Sequence, residues 1–249
     1  MPINNLKISV CIATYNGESY IREQVDSILS QLKDGDELIV SDDGSTDGTV
    51  SILSEYSTVL KVISCKKAGG VVANFERALN AASGDVIFLC DQDDVWISGR
   101  VDFMVKLLAN HSLVMTNGYV VDGKMSPLGM DIFEFVRFRS GFINTLISTK
   151  YVGCCMAFRR NLIEIALPFP RNILWHDWYI ALVGLLFFKC THSKVKTIFY
   201  RRHSNNASQT GGASSRNFFD HIKIRFWILR ALFIAIIRFY KLKLVRKKN

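Results

Sequence analysis

The chain has 249 residues, 49% of them apolar, and a formal net charge of +9 at pH 7. This apolar share supplies a sizeable buried core and excludes an intrinsically disordered chain. Residues 218–249 contain nine Lys and Arg against one acid, so this segment carries +8 and the preceding 217 residues are nearly neutral. A nearly neutral body argues against nucleic-acid binding.

The six cysteines form no CxxC pair and show no zinc-ligand spacing. Cys11, Cys65 and Cys90 lie in or beside apolar runs, where a thiol behaves as a small hydrophobe. We therefore expect reduced, structural cysteines, which suit the cytosol. Residues 1–9 contain no apolar signal-peptide core, so the sequence predicts no secretory signal.

Short apolar runs alternate with helical patterns through the first half of the chain. Residues 21–32 and 71–82 place apolar side chains at helical spacing. The strand candidates are 7–13, 37–41, 60–65, 86–90 and 113–116. This alternation predicts an α/β fold with a mainly parallel sheet covered on both faces by helices. Ligands bind beyond the carboxyl ends of the strands in such sheets, so the polar residues that follow each strand are the site candidates.

Three strand ends carry polar clusters that we expect to open onto one crevice. In chain order they are Thr14, Tyr15, Asn16 and Gly17; the turn 41–48 with Asp43; and Asp91, Gln92, Asp93 and Asp94. Three carboxylates in four residues repel one another unless a cation neutralises them, and Mg²⁺ or Mn²⁺ prefers such oxygen ligands. The alternative for the last two clusters is a turn that caps the next helix.

The second half of the chain is less regular. Residues 124–150 predict a loop with a short helix, 152–159 a strand, 177–189 an apolar helix and 195–200 another strand. Residues 204–216 are rich in Ser, Asn and Gly and predict a mobile loop. We expect this loop to close over a bound substrate and exclude water.

The order and spacing of these motifs across about residues 7–206 resemble the inverting glycosyltransferases of family 2, which have the nucleotide-binding GT-A fold. The resembling stretches are ISVCIATYNGESYIREQVDSIL, ELIVSDDGSTDGT, GDVIFLCDQDDVW, WHDWYIAL and YRRHSNN. The DQDDVW, HDWY and RRHSNN forms are most similar to bacterial rhamnosyltransferase-like members. The resemblance implies a nucleotide-sugar donor, a hydroxyl acceptor and a divalent cation, Mn²⁺ or Mg²⁺.

The resemblance also implies roles for individual residues. Tyr15 and Asp43 would contact the nucleobase, Asp91 would lie near the ribose or metal, and Asp177 would be the catalytic base beside His176, which stands where the family usually has Glu. With the other residues at the strand ends included, the predicted donor-binding residues are Thr14, Tyr15, Asn16, Asp43, Asp91, Gln92, Arg201 and Arg202. The predicted metal ligands are Asp91 and Asp93, which the resemblance implies, and His203, whose imidazole suits a metal.

Chemistry gives independent reasons for some of these roles. An acceptor hydroxyl is a poor nucleophile, so a carboxylate that removes its proton assists the displacement. Asp177 also suits a helix cap, which is the alternative role. The guanidinium groups of Arg201 and Arg202 suit diphosphate oxygens, against a basic strand end that faces solvent. Trp175, Trp178 and residues 153–155 are expected to line or support the acceptor pocket.

The basic tail, 218–248, predicts an amphipathic helix with Lys223, Arg230, Arg238, Lys241 and Lys248 in one sector. Its longest central uncharged stretch, 231–237, is far shorter than the roughly 20 residues that span a bilayer. We expect the helix to lie on an anionic membrane surface; a helix docked on its own domain or on a second subunit is the alternative. The predicted division is 1–217, with halves meeting near residue 120, and a tail of 218–249.

The sequence therefore predicts transfer of a sugar, rhamnose from dTDP-rhamnose or a sugar from a UDP donor, to a cell-surface polysaccharide or lipid-linked glycan. The expected location is the cytoplasm, peripheral at the inner face of the cell membrane. One alternative is a nucleotidyltransferase, which usually has a Gly-rich basic loop after its first strand, whereas residues 14–18 contain no Lys or Arg. The other is a membrane-associated scaffold with a degenerate catalytic domain, against which both acidic motifs and Asp177 argue.

Overall fold

The computed structural model describes residues 6–65, 69–204, 206 and 218–246. Its strands are β1 (Ile8–Thr14), β2 (Glu37–Asp42), β3 (Leu60–Ser64), β4 (Val86–Asp91), β5 (Val95–Trp96), β6 (Leu113–Asp122), β7 (Pro127–Asp131), β8 (Met156–Arg159) and β9 (Cys190–Arg202). Its helices are α1 (Ile21–Leu29), α2 (Thr49–Ser54), α3 (Gly70–Ala81), α4 (Arg100–Leu108), α5 (Ile132–Phe135), α6 (Phe142–Ile147), α7 (Arg160–Ala166), α8 (His176–Phe187) and α9 (Phe218–Arg246).

The described strands form one sheet in the order β3-β2-β1-β4-β8-β6-β9-β5, with β7 beside β6. The first four strands in this order are parallel, as the alternation of strands and helices predicts. Ile12 lies at the centre of this group, paired with Val40 on one side and Cys90 on the other. All three side chains are fully buried, which explains why these strands are apolar almost throughout.

The second half of the sheet is mixed, because β8 runs antiparallel to both β4 and β6. The strand predicted at 113–116 extends to Asp122, and the strand predicted at 195–200 spans Cys190–Arg202. These two strands pair in parallel with a register shift near Asn117, and this long-range pairing carries them beyond their apolar runs.

Three shorter segments also differ from the sequence expectation. The strand predicted at 152–159 begins only at Met156, because Gly153–Cys155 forms a 3-10 turn. The region 124–150 contains β7, α5 and α6 instead of one short helix. A capping box formed by Asp131 and Glu134 starts α5, a local signal within a weakly periodic segment.

The final helix, α9, packs one face against the domain. Ile228, Ala231, Leu232 and Ala235 are buried, and Phe239 stacks on Phe187 of α8 with ring centroids 4.4 Å apart. The docked-helix alternative is therefore correct for this face. No helix in the described ranges is both long enough and apolar enough to cross a membrane.

Arg238, which the sequence places in one sector with the other tail cations, is only partly exposed and does not face outward as the exposed ones do. Its guanidinium turns toward the domain and donates to the backbone carbonyls of Ile165, Ala166 and Pro168, with the closest oxygen at 2.8 Å. These carbonyls lie at and beyond the end of α7, where helical acceptors lack partners within the helix. Lys223, Arg230 and Lys241 are exposed.

Candidate active site

The three predicted polar clusters meet at one edge of the sheet. Thr14 pairs with Asp42 at the end of β2, and Ala13 pairs with Asp91 at the end of β4. Parallel strands end on the same side, so the residues that follow them share one crevice. This prediction from the strand ends is confirmed.

Gln92 connects the turn after β1 to the acidic motif after β4. Its Oε1 accepts hydrogen bonds from the Thr14 hydroxyl (2.6 Å) and the Tyr15 N–H (2.8 Å), and its Nε2 donates to the Tyr15 carbonyl. A Cβ on Gly17 would lie 2.6 Å from Gln92 Oε1, so glycine is needed for this close approach. The Tyr15 side chain is 51% exposed, which leaves its ring open to stack on a base.

Asn16 joins the same turn to the one after β2. Its backbone has φ of 49°, in the left-handed region that Asn tolerates better than most residues. Its Oδ1 accepts from the Thr46 N–H at 2.8 Å, and its own N–H donates to Ser45 Oγ at 2.9 Å. Asn16 therefore positions the two turns relative to each other.

Asp43 is buried and fully engaged by protein donors. Its carboxylate accepts the N–H groups of Gly69 (2.9 Å) and Gly70 (2.8 Å) and pairs with the guanidinium of Arg77. Burial by itself raises the pKa of Asp43, but these hydrogen bonds and the Arg77 charge outweigh it and hold that pKa below its usual range. No sequence motif indicated Arg77, which lies in the middle of α3.

Asp93 and His203, both predicted metal ligands, lie side by side. His203 Nε2 is 2.9 Å from Asp93 Oδ2 although 110 residues separate them in the chain. Asn206 Nδ2 donates to the same oxygen at 2.8 Å, and the His203 ring contacts the Tyr20 ring in a tilted arrangement with centroids 4.6 Å apart. Sequence reasoning missed Asn206 as a site residue, although it lies in the RRHSNN stretch.

Asp91 lies in a second group with Asp94 and Cys154, whose ligand atoms are within 4.8 Å of one another. Burial, together with the charges of Asp93 and Asp177, raises the pKa of Asp91 to about 7. Asp94 accepts the Arg201 N–H through Oδ1, but its buried Oδ2 has no hydrogen-bond partner among the described residues.

This donor set fits a hard divalent cation. Crowded carboxylates and an unpartnered buried carboxylate oxygen are both stabilised by a divalent positive charge. A neutral thiol is a poor ligand for Mg²⁺ or Mn²⁺, and the pKa of Cys154 is raised by its interaction with Cys155 and by burial. Asp91 and Asp94 are therefore the candidate ligands that the structure brings together. Asp94 belongs to the predicted acidic cluster but was not among the predicted ligands. Asp93 and His203 pair with each other, and their role as ligands stays a prediction.

Asp177 lies in the first turn of α8, next to the 3-10 turn. Its carboxylate accepts the N–H of Trp178 (2.7 Å) and, across the chain, the N–H of Gly153 (3.2 Å). Burial raises the pKa of Asp177 to about 6, despite these hydrogen bonds, which favour the charged form. Asp177 thus binds one N–H of the first turn of α8, although the residue at the cap position is Trp175. Its pKa stays near that of a working general base.

His176 is a neutral, buried ring. It stacks on Phe75 with centroids 4.0 Å apart, and burial lowers its pKa to about 3. Its Nε2 has no hydrogen-bond partner within the part of the chain that the structure describes. An uncharged imidazole therefore stands directly before Asp177.

The two predicted diphosphate-binding arginines lie in different surroundings. The Arg201 guanidinium is buried, donates to Glu23 and to the Gly123 carbonyl, and lies over the ring of Tyr20. The expected alternative of a strand end facing solvent is wrong for Arg201, which is only 4% exposed. Arg202 lies 5.6 Å from the centroid of Phe135. A role for either residue toward a diphosphate stays a prediction.

Trp178, which follows Asp177 in α8, is buried, and its Nε1 donates to the Thr145 carbonyl at 2.5 Å. It therefore has a supporting role in the core next to the site. The predicted loop at 204–216 lies outside the described residues except for Ser204 and Asn206.

Comparisons with known proteins agree with this architecture. The sequence model described as Glycosyl transferase family 2 matches residues 9–165. The chain is 29% identical over 216 residues to the dTDP-rhamnosyl transferase RfbG of Shigella flexneri, covering 78% of this chain and 72% of the relative. It is 28% identical over 179 residues to the UDP-Glc:alpha-D-GlcNAc-diphosphoundecaprenol beta-1,3-glucosyltransferase WfgD of Escherichia coli, covering 70% and 68%.

Solved structures share the fold. TarS of S. aureus in complex with UDP-GlcNAc has a TM-score of 0.69 at 21% identity, covering 88% of this chain and 65% of that chain. The mannosyltransferase PcManGT from Pyrobaculum calidifontis, in complex with GDP-Man and Mn2+, has a TM-score of 0.61 at 21% identity, covering 82% and 59%. The chain spans 69% of the length of a curated Nostoc relative and 64% of one from Mycobacterium tuberculosis. These likenesses establish the GT-A fold.

Proposed function

This chain belongs to glycosyl transferase family 2, and on that premise we propose that it inverts the anomeric carbon of a sugar while moving it from a nucleoside-diphosphate donor to an acceptor hydroxyl. Membership of the family makes it a glycosyltransferase with a nucleotide-sugar donor. The roles of individual residues, the sugar, the acceptor and the membrane contact belong to the proposal.

One observation carries the assignment of the site. Cys154 Sγ is within 4.8 Å of ligand atoms of Asp91 and Asp94, and the neighbouring residue, Gly153, donates its N–H to Asp177. Two consecutive residues therefore link the acids after β4 to the proposed base on α8. A donor diphosphate held at those acids places its sugar toward Asp177, which gives the two groups of a single displacement.

In the proposed mechanism Asp177, as a carboxylate, accepts the proton of the acceptor hydroxyl while that oxygen attacks the anomeric carbon. The Gly153 and Trp178 N–H groups fix the orientation of its two oxygens. Tyr15 stacks on the nucleobase, and Gln92 and Asn16 hold the turn that carries Tyr15. A divalent cation held by Asp91, Asp93, Asp94 and His203 would offset the charge that develops on the leaving diphosphate. The Mn2+ in the PcManGT complex supports this choice of ion.

For the donor we propose dTDP-rhamnose, with a UDP-sugar as the second candidate. The first rests on the likeness to the dTDP-rhamnosyl transferase RfbG, and the second on WfgD and on the UDP-GlcNAc complex of TarS. The proposed acceptor is a growing cell-surface polysaccharide or a lipid-linked glycan, at the cytoplasmic face of the membrane. A nucleotidyltransferase function has no comparable support, and the intact acid set argues against a degenerate scaffold.

The outer face of α9 supports a membrane contact. Phe219, Phe226 and Phe233 are 71%, 60% and 63% exposed, and Lys223 and Arg230 are exposed alongside them. Exposed aromatic side chains with adjacent cations are typical of helices that lie in a membrane interface with anionic lipids. We therefore propose that α9 binds its own domain with one face and the membrane with the other.

The proposed function is tested by incubating the full chain with dTDP-rhamnose and a panel of UDP-sugars in Mn²⁺ or Mg²⁺, and by measuring nucleoside-diphosphate release. Asp93→Asn and Asp177→Asn should each lower the rate by a factor of about 100 or more. Asp102→Asn, on the exposed face of α4, is the matched control. Release by both site variants at the wild-type rate would show that the site is wrongly assigned.

A further inference from the structure

A basic cleft of about 270 Å³ lies beside α6, apart from the acidic site. The residues that line it are Arg137, Arg139, Asn144, Ile147, Ser148 and Lys150. No acidic side chain lines this cleft within the described ranges, although Arg139 and Asn144 also line an adjoining cavity of about 620 Å³ to which Asp131 and Glu134 contribute. Three cations that share a concave surface with no acid in its own lining produce a local positive potential that attracts anions.

The cations of the basic cleft are held by the fold. Phe138 packs inward, stacked on Phe133 at 4.6 Å and edge-on to Tyr151 at 5.5 Å, so the flanking Arg137 and Arg139 turn outward and are exposed. Lys150 Nζ donates to a backbone carbonyl at 2.9 Å. Neither arginine forms an ion pair with any residue that the structure describes.

The backbone of Arg137 also has an unusual conformation. Its φ is 50°, in the left-handed region, which is unusual for a long side chain. Such a conformation is strained for a residue with a side chain and persists only where the surrounding contacts impose it. Here it lets Phe138 enter the core while the arginines on both sides of it remain at the cleft.

The basic cleft is close to the proposed catalytic base. Lys150 precedes Gly153 by three residues, and the N–H of Gly153 binds Asp177 at 3.2 Å. Three residues of fully extended chain span at most about 11 Å. The Cα atoms of Lys150 and Gly153 are therefore at most about 11 Å apart. On this basis we expect an acceptor with its anionic group in the cleft to present a hydroxyl of the adjoining sugar to Asp177.

The basic cleft is also joined to α9. Arg225 of α9 donates to the backbone carbonyls of Leu146 and Ile147, and its guanidinium lies 5.4 Å from the ring centroid of Trp178. Ile147 lines the cleft and is 62% exposed, and Ile143, one turn earlier on the same face of α6, is 64% exposed. The exposed apolar surface of α6 therefore adjoins the basic cleft, and Arg225 connects α6 to Trp178 of α8, the helix that carries Asp177.

We infer that the basic cleft binds the diphosphate group of a lipid-linked acceptor whose lipid chain lies in the membrane. This inference rests on the proposed function and names the chemistry of its acceptor. Two guanidinium groups supply paired hydrogen bonds to phosphate oxygens, and Lys150 adds a third positive charge. The short connection to Asp177 suits an acceptor whose reacting sugar is attached directly to the diphosphate.

The test is binding of the full chain to two sets of phosphatidylcholine vesicles, measured by flotation without donor. One set carries undecaprenyl diphosphate and the other carries phosphatidylglycerol at equal total charge. The wild type should bind the diphosphate vesicles on the order of tenfold more tightly. The double variant Arg137→Gln/Arg139→Gln should lose that preference. Arg22→Gln/Lys61→Gln, which removes two exposed cations elsewhere, should keep it.

A wild type without the preference, or a double variant that retains it, would overturn the inference. Nucleotide binding in Mn²⁺, measured on the same samples, reports the proposed function separately. If the wild type does not bind nucleotide in Mn²⁺, the proposed donor site is refuted. The vesicle comparison would still decide the role of the basic cleft. Retained nucleotide binding by Arg137→Gln/Arg139→Gln confirms that the variant is folded.

Discussion

Opposing influences set the state of Asp177, the proposed base. Burial favours the neutral acid, whereas the N–H groups of Gly153 and Trp178 favour the carboxylate, and the outcome is a pKa of about 6. His176, stacked on Phe75, contributes apolar surroundings rather than charge because burial keeps its ring neutral. A base of this pKa is ionised at neutral pH yet still able to take a proton.

This environment predicts the pH dependence of the reaction. Below pH 6 Asp177 is protonated and cannot accept the hydroxyl proton, so kcat/KM should fall by about tenfold per pH unit on the acid side. Above that pH it should level off. The measurement is kcat/KM between pH 4.5 and 8 with metal held constant. Asp177→Asn should lose most of the rate and should no longer show the fall of kcat/KM at acid pH. If the variant keeps that fall, the titrating group is not Asp177.

Gly17 and Gln92 form a coupled pair that a double-mutant cycle can test. A methyl group at position 17 would meet Gln92 Oε1 at 2.6 Å and displace the side chain that holds the Tyr15 turn. Gly17→Ala and Gln92→Ala should each weaken nucleotide binding in Mn²⁺ by a factor of about five or more. Because both act through the same contact, the double variant should be no worse than Gln92→Ala; additive losses would show that they act independently.

At the scale of elements, α9 has two faces with different roles. The inner face, with Ala231 fully buried, belongs to the core, while the outer face presents Phe226 and Phe233 to solvent. The solvent-facing side of a helix that packs only on its own domain is normally polar, and contiguous exposed apolar side chains mark an interaction surface. The aromatic outer face of α9 therefore indicates a second contact.

Substitutions on the two faces of α9 should therefore have opposite effects. Phe226→Ser/Phe233→Ser should leave Tm nearly unchanged and abolish flotation with anionic vesicles, because it removes only exposed apolar surface. Ala231→Glu should lower Tm by roughly 3–10 °C, because it buries an unpaired polar group. Thermal unfolding and flotation of both variants check the assignment. Unchanged vesicle binding by the phenylalanine variant would rule out the membrane contact.

At the scale of the whole molecule, the site joins elements that are far apart in the chain. Asp93 follows β4, whereas His203 and Asn206 follow β9, so a cation at this position would connect the two halves of the sheet. A ligand that binds only the folded state stabilises the whole domain, by about 2.7 kcal/mol at a concentration of one hundred times Kd.

Metal and nucleotide together should therefore raise Tm. At one hundred times Kd we expect dTDP or UDP with Mn²⁺ to raise it by roughly 5–10 °C, and removal of the metal by EDTA to reverse the gain. Asp93→Asn should lose this stabilisation and Asp102→Asn should keep it. Differential scanning calorimetry makes the measurement, and an equal gain in Asp93→Asn would exclude that residue as a ligand.

The sequence by itself determined the α/β class, the parallel core and the meeting of three polar clusters at one edge. These follow from local properties: apolar runs of strand length, helical spacing, and the rule that parallel strands end on the same side. It also selected Asp93 and His203 through their motifs, and the structure places these two side chains together, while their role toward a cation stays a prediction.

Only the tertiary structure decided which ion-pair, hydrogen-bond and strand partners the residues have. It paired Asp43 with Arg77 and Arg201 with Glu23, extended β6 and β9 by their mutual pairing, and turned Arg238 inward. Periodicity along the chain assigns a residue to a face of its element, but not to the element that packs against that face. That choice depends on contacts between distant segments, which only the folded chain brings together.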